Sequence, residues 1–115
     1  MIVKKLKVID GELNHVEKVF ATYEDVIRLD FYKFDNGGNT SDFDGTVSID
    51  VSVYGLDSSS ISQEYATTTG NVRQVELDTS ELNRAGLYEY QLSVTESSKK
   101  YVLARGIIRL ESLIE

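Results

Sequence analysis

Leu77-Asp78-Thr79-Ser80-Glu81-Leu82-Asn83-Arg84-Ala85-Gly86-Leu87-Tyr88-Glu89-Tyr90-Gln91-Leu92-Ser93-Val94 is the stretch whose reading decides the fold. It reads as the end of one strand, a short loop, a glycine corner and a new strand. In the new strand Tyr88, Tyr90, Leu92 and Val94 share one face, because successive residues of a strand point to opposite sides. This pattern suits the far end of a β-sandwich, where the chain crosses between two sheets. One of Tyr88 and Tyr90 fits the corner tyrosine whose hydroxyl bonds back to backbone upstream.

Downstream, Glu96-Ser97-Ser98-Lys99 closes a hairpin, and Lys100 to Leu110 forms a long last strand. Gly106 inside that strand marks a bulge or a close backbone approach. Upstream, Val26 to Phe34 alternates, with Ile27, Leu29, Phe31 and Lys33 on one face and Arg28, Asp30, Tyr32 and Phe34 on the other. Thr46 to Tyr54 is the cleanest strand, with Val47, Ile49, Val51 and Val53 pointing one way, as a half-buried sheet requires. Ile61 to Thr68 and Val72 to Leu77 supply two more, and Val75 and Leu77 face the core. Asp35 to Gly45 is the longest loop, polar or glycine except at Phe43.

Met1 to Ile9 alternates and carries Lys4, Lys5 and Lys7, the pattern of an edge strand guarded by lysines. Asp10-Gly11 is a turn signal. Glu12 to Ala21 mixes helical and strand spacing, and an extended segment is the preferred reading. Residues 1–20 therefore read as an N-terminal extension or edge strand on a single domain covering 1–115. The predicted fold is an all-β, antiparallel, Ig-like β-sandwich of about seven to eight strands with no convincing helix.

The 115 residues set the size of one domain able to bury a core. The absence of cysteine excludes disulfides, thiolate zinc sites and thiol nucleophiles. A net charge of −7, from 12 basic and 19 acidic residues, argues against nucleic-acid binding. No apolar h-region follows the first residues, so no signal peptide is expected. No apolar run reaches the roughly 20 residues of a membrane span.

Asp35, Asp42 and Asp44 in the long loop are candidate calcium ligands, since they supply hard oxygens. No glutamate sits where an EF-hand loop places its bidentate ligand, and such side chains ordinarily cap their own turns. His15, the only histidine, has acidic neighbours in sequence but no oriented partner. Ser58-Ser59-Ser60 lies in a turn without a triad. No cofactor and no enzymatic activity are expected. The seven tyrosines carry more information. Tyr32 and Tyr54 fall opposite the main apolar face of their strands, where they are contact residues if exposed and core if covered.

The order of features resembles a known group. Tyr23-Glu24-Asp25 leads into a strand, a Gly/Asn loop follows, and Asp42-Phe43-Asp44-Gly45 opens the next strand. Then come Leu82 to Leu92 with its Gly-x-Tyr-x-Tyr corner and the closing run Tyr101-Val102-Leu103-Ala104-Arg105-Gly106-Ile107-Ile108-Arg109-Leu110. Over residues 20 to 110 this is similar to small β-sandwich modules of tailed-bacteriophage virions, namely the amino-terminal domain of baseplate upper proteins and related tail and head accessory proteins. Domains of that kind continue into longer chains, so an end at Glu115 makes a stand-alone virion component the expectation.

The resemblance implies a non-enzymatic structural component of a virion assembled in the host bacterial cytoplasm: a head decoration, a head-fibre anchor, or a tail or baseplate accessory protein. Its partners would be other virion proteins or copies of itself, with no nucleic acid and no membrane. Lys4, Leu6, Tyr32, Tyr54, Leu113 and Ile114 are the expected contact residues. The alternative is a carbohydrate-binding sandwich, calcium-assisted, using Tyr32, Tyr54 and the Asp35–Gly45 loop on a cell-surface glycan.

Overall fold

Strand β8, Gly86–Glu96, runs through the middle of the larger of two sheets, and its alternation decides what is buried. In the computed structural model, which describes residues 1–55, 60–82 and 84–112, Tyr88, Tyr90, Leu92 and Val94 all point into the core. The other strands in chain order are β1 (Ile2–Ile9), β2 (Asn14–His15), β3 (Val19–Thr22), β4 (Val26–Phe34), β5 (Thr46–Val53), β6 (Ser62–Tyr65), β7 (Val72–Asp78) and β9 (Lys99–Glu111). One sheet has the order β1-β4-β7. The other runs β9-β8-β5-β6, with β2 and β3 both lying along the outer edge of β9.

The predicted all-β sandwich is what forms. Ile27, Leu29 and Phe31 of β4 and Val75 and Leu77 of β7 face Val47, Ile49 and Val51 of β5 and the apolar row of β8. Phe31 meets Tyr90 across the sheets edge-on, with ring centroids 6.3 Å apart and planes at 60°, a favoured aromatic geometry.

Antiparallel pairing holds for β4–β7, β5–β6, β5–β8 and β8–β9. The front of the chain departs from it: β1 is parallel to β4, and β2 and β3 are parallel to β9. Parallel neighbours need a crossover of a dozen or more residues. Here residues 10–25 leave β1, run along the other sheet as β2 and β3, and return to start β4. The ambiguous Glu12–Ala21 segment is thus extended, as preferred.

Three local outcomes refine the sequence reading. The loop before the glycine corner contains a 3₁₀ turn, Thr79–Leu82. Asp78 Oδ1 accepts from the Ser80 N–H at 3.1 Å at its start, while Thr79 N–H and Oγ1 both donate to Asp25 O. The strand expected over Ile61 to Thr68 stops at Tyr65, because the chain there changes sheets and the Thr67 N–H donates to Gln74 O. The hairpin between β8 and β9 turns on Ser97 and Ser98, both at positive φ (49° and 67°), as a tight two-residue connection demands.

Gly106 is a close approach, with Tyr90 directly opposite it. The irregularity in the β8–β9 ladder lies further along: Leu92 pairs with Ala104 and Ser93 with Val102, leaving Leu103 as the extra residue.

Candidate contact surface

The long loop is held by two cations that come from the strands beneath it. Lys33 lies on the apolar face of β4 and its side chain is only 6% exposed. Its ammonium donates to Asp42 O at 2.8 Å and sits 5.5 Å from the centre of the Phe43 ring. Arg73 of β7 donates to three carbonyls: Gly70 (3.2 Å), Gly45 (3.2 Å) and Phe43 (3.0 Å). Its guanidinium lies 5.4 Å from the same ring. Phe43, the loop's one large apolar residue, is thereby buried between two cations whose donors close the loop.

The three candidate calcium ligands are placed differently from one another. Asp35 Oδ1 accepts from the Gly37 and Asn39 N–H groups, each at 2.9 Å, so it caps its own turn. Asp42 offers its backbone oxygen to Lys33. Asp44 lines a small hollow with Asp10, Glu96 and Tyr101, and Lys33 puts a positive charge in the same hollow. Among the described residues no three acidic or histidine side chains converge on a point where a metal could sit.

The glycan constellation is divided in the same way. Tyr32 is half-buried on the outer face of the three-stranded sheet, level with Lys7 and Val72. Tyr54 is 47% exposed at the far end of β5, on the other sheet, where its N–H donates to Leu87 O. The loop meets β5 at the opposite end, about 25 Å away for eight residues of strand. Tyr54 is therefore not on one surface with Tyr32 and the loop.

His15 is exposed beside Arg105, in a notch that Lys18 and Glu89 also line. Ser60 Oγ donates to Ser62 O, and Ser58 and Ser59 lie outside the described residues.

Among the expected contact residues, Leu6 is corrected: at 2% exposure it belongs to the core, and its side chain is not available to a partner. Even-numbered positions of β1 face inward, so Leu6 and Val8 seal the sandwich, and Lys4 reaches over its rim to Glu17 at 3.4 Å. The outward face of β1 is Val3, Lys5, Lys7 and Ile9. Leu113 and Ile114 lie outside the described residues.

The edge of β1 is finished by a residue that sequence reasoning passed over. The Asn14 carboxamide accepts from the Ile9 N–H at 2.9 Å and donates to Ile9 O at 3.0 Å. It thus copies the two bonds a neighbouring strand would make. The same Nδ2 also donates to Leu103 O and Glu12 O, tying β1 to the other sheet. Nothing in the sequence around Asn14 announces this role. For Lys33 the signal was present: a lysine in phase with Ile27, Leu29 and Phe31 must bury its stem and find acceptors.

No protein-family model matches the chain, and no curated protein matches it. Among solved structures it is similar to the N-terminal domain of phage TP901-1 ORF48, with a TM-score of 0.60 and 12% identity. The similarity covers 96% of this chain and 99% of that one, too much to leave out the first twenty residues, where the sequence resemblance had not reached. The chain has the fold of that phage domain over 96% of its length.

Proposed function

We propose that the protein is a structural component of a bacteriophage virion that works through protein–protein contacts, as a tail or baseplate accessory subunit or a head decoration or fibre anchor. The observation that carries this reading is the coincidence of two resemblances. The sequence order of strands, loop and tyrosine corner resembles that of phage sandwich modules, and the fold is similar to a phage domain over 96% of this chain. The surface is in keeping with a contact role. The long loop is spent on internal bonds to Lys33 and Arg73, and the aromatic residues left exposed, Phe20, Tyr54, Tyr65 and Tyr101, are spread over separate regions of the fold.

Mass spectrometry of particles purified by density gradient, from cells carrying the gene within its prophage, tests the reading. The expected result is the chain in the particle fraction at a fixed ratio to the other virion proteins. Its recovery only from the soluble lysate would overturn the proposal.

A further inference from the structure

Among the described residues the longest open strand edge belongs to β1. Of the other edge strands, β6 and β3 have four residues each and β2 has two. β7 has seven, but the crossing segment covers its first half: Gln74 N–H donates to Thr68 Oγ1, Thr68 Oγ1 donates to Val72 O, and Gln74 O accepts from Thr67 N–H.

In β1 the direction of the free groups follows from two observed bonds. Asp10 N–H donates to Phe34 O, toward β4, while Ile9 turns both its backbone groups outward to Asn14. Backbone groups of successive strand residues alternate between the two edges. Val3, Lys5 and Lys7 therefore point their N–H and C=O groups away from β4, and among the described residues no other strand pairs with them.

The same three residues carry the outward side chains, and two are lysines. In a chain of net charge −7, neither Lys5 nor Lys7 forms an ion pair among the described residues. Asp30, level with Lys5, is already held by Arg28 through two bonds of 2.9 and 3.0 Å. Lys7 lies 4.8 Å from the centre of the Phe34 ring.

We infer that β1 is a docking edge for an extended acidic segment of a partner protein, which adds as a further strand and sets carboxylates two residues apart against Lys5 and Lys7. This deepens the contact role proposed above and rests on it. Backbone bonds to Val3, Lys5 and Lys7 would supply the affinity and the lysines the selection. The lysine row also says what is excluded. Pairing β1 with β1 of a second copy sets like charges side by side, which is unfavourable. The side chains of Leu6 and Val8 are sealed in the core and take no part in the docking. Asn14 ends the site, since Ile9 is already satisfied.

Amide hydrogen exchange of the full chain, read by NMR, tests the assignment. The probe is a short extended peptide of alternating Glu and Val, and the control has Lys in place of Glu. The Glu peptide is expected to slow exchange at Val3, Lys5 and Lys7 by about tenfold or more, leaving Lys4, Leu6 and Val8 unchanged. In the Lys5→Glu/Lys7→Glu variant the preference should pass to the Lys peptide. Equal protection by both peptides, protection confined to β7, no protection at millimolar Glu peptide, or protection from self-association alone would each overturn the inference. A chain found in particles whose β1 amides ignore the Glu peptide would sink this assignment and leave the virion reading standing; edge protection in a chain absent from particles would do the reverse.

Discussion

Tyr90 occupies the space that a side chain at Gly106 would need. The two residues face each other across β8 and β9, and a Cβ built on Gly106 would meet Tyr90 Cζ and Oη at 2.5 Å and Cε1 at 2.6 Å. The ring has nowhere to go: it is fully buried and packed against Phe31. Gly106→Ala is therefore expected to destabilise the fold by about 1–3 kcal/mol, the range for overpacking a filled core. Thermal melting reads this as a fall of several degrees. An unchanged melting temperature would mean the ring can yield.

The two buried tyrosines of β8 are expected to respond in opposite ways to loss of the hydroxyl. Tyr88 Oη reaches Leu82 O at 2.9 Å and Arg84 O at 2.7 Å, which makes Tyr88 the corner tyrosine. Tyr88→Phe removes that tie and should cost about 1–2 kcal/mol. Tyr90 Oη is buried without a partner among the described residues, and burial drives its pKa upward. Tyr90→Phe should be neutral or stabilising, because it removes a buried polar group that gains nothing in return. Paired denaturant titrations of the two variants check the contrast; equal losses would refute it.

Most of the core was legible because period-two alternation is strong in β4, β5 and β8, where one face is apolar and fully buried and the other is largely polar and mostly half-buried. Ile27 to Phe31, Val47 to Val51 and Tyr88 to Val94 needed no tertiary information. Two kinds of feature were not legible. The parallel pairing of β1 with β4 depends on where residues 10–25 travel, and alternation does not encode a strand's neighbour. The contact residues depend on phase: Leu6 and Lys5 both sit in an alternating run, and only the completed sandwich decides which looks outward. The closing of the long loop was hidden for a related reason. Composition shows hard oxygens but not that Lys33 and Arg73 have already claimed the loop.

That claim on the loop is itself testable. Arg73→Ala deletes donors to Gly70, Gly45 and Phe43 carbonyls, and Lys33→Met deletes the donor to Asp42 O while keeping the apolar stem. Bonds from a charged donor are worth about 1.5–3 kcal/mol each way they are lost. The expected loss is about 2–3 kcal/mol for Arg73→Ala and less for Lys33→Met, whose removal also relieves a desolvated charge. Limited proteolysis should cut residues 35–45 faster in both variants. If cleavage rates there stay at the wild-type level, the two cations do not hold the loop.

The last prediction concerns pH. Glu64 of β6 faces Glu81 of the 3₁₀ turn, and its pKa is raised, first by partial burial, then by the hydrogen bond to Glu81 and by that residue's charge. A carboxyl whose pKa is higher in the folded state binds a proton more tightly there than in the unfolded chain. Its favourable contribution is complete below the ordinary glutamate range and is lost as pH rises through the raised one. The charge of Glu81 is among the causes that disfavour the ionised form of Glu64. Glu81→Gln keeps a hydrogen-bonding side chain and removes the repulsion. The variant should therefore melt higher than wild type at pH 7, and the gap should close as pH falls through the raised titration of Glu64. Melting curves at pH 4 and pH 7 decide it. A gap that is the same at both values, or a variant less stable at pH 7, would show that the pair's charge does not reach the fold.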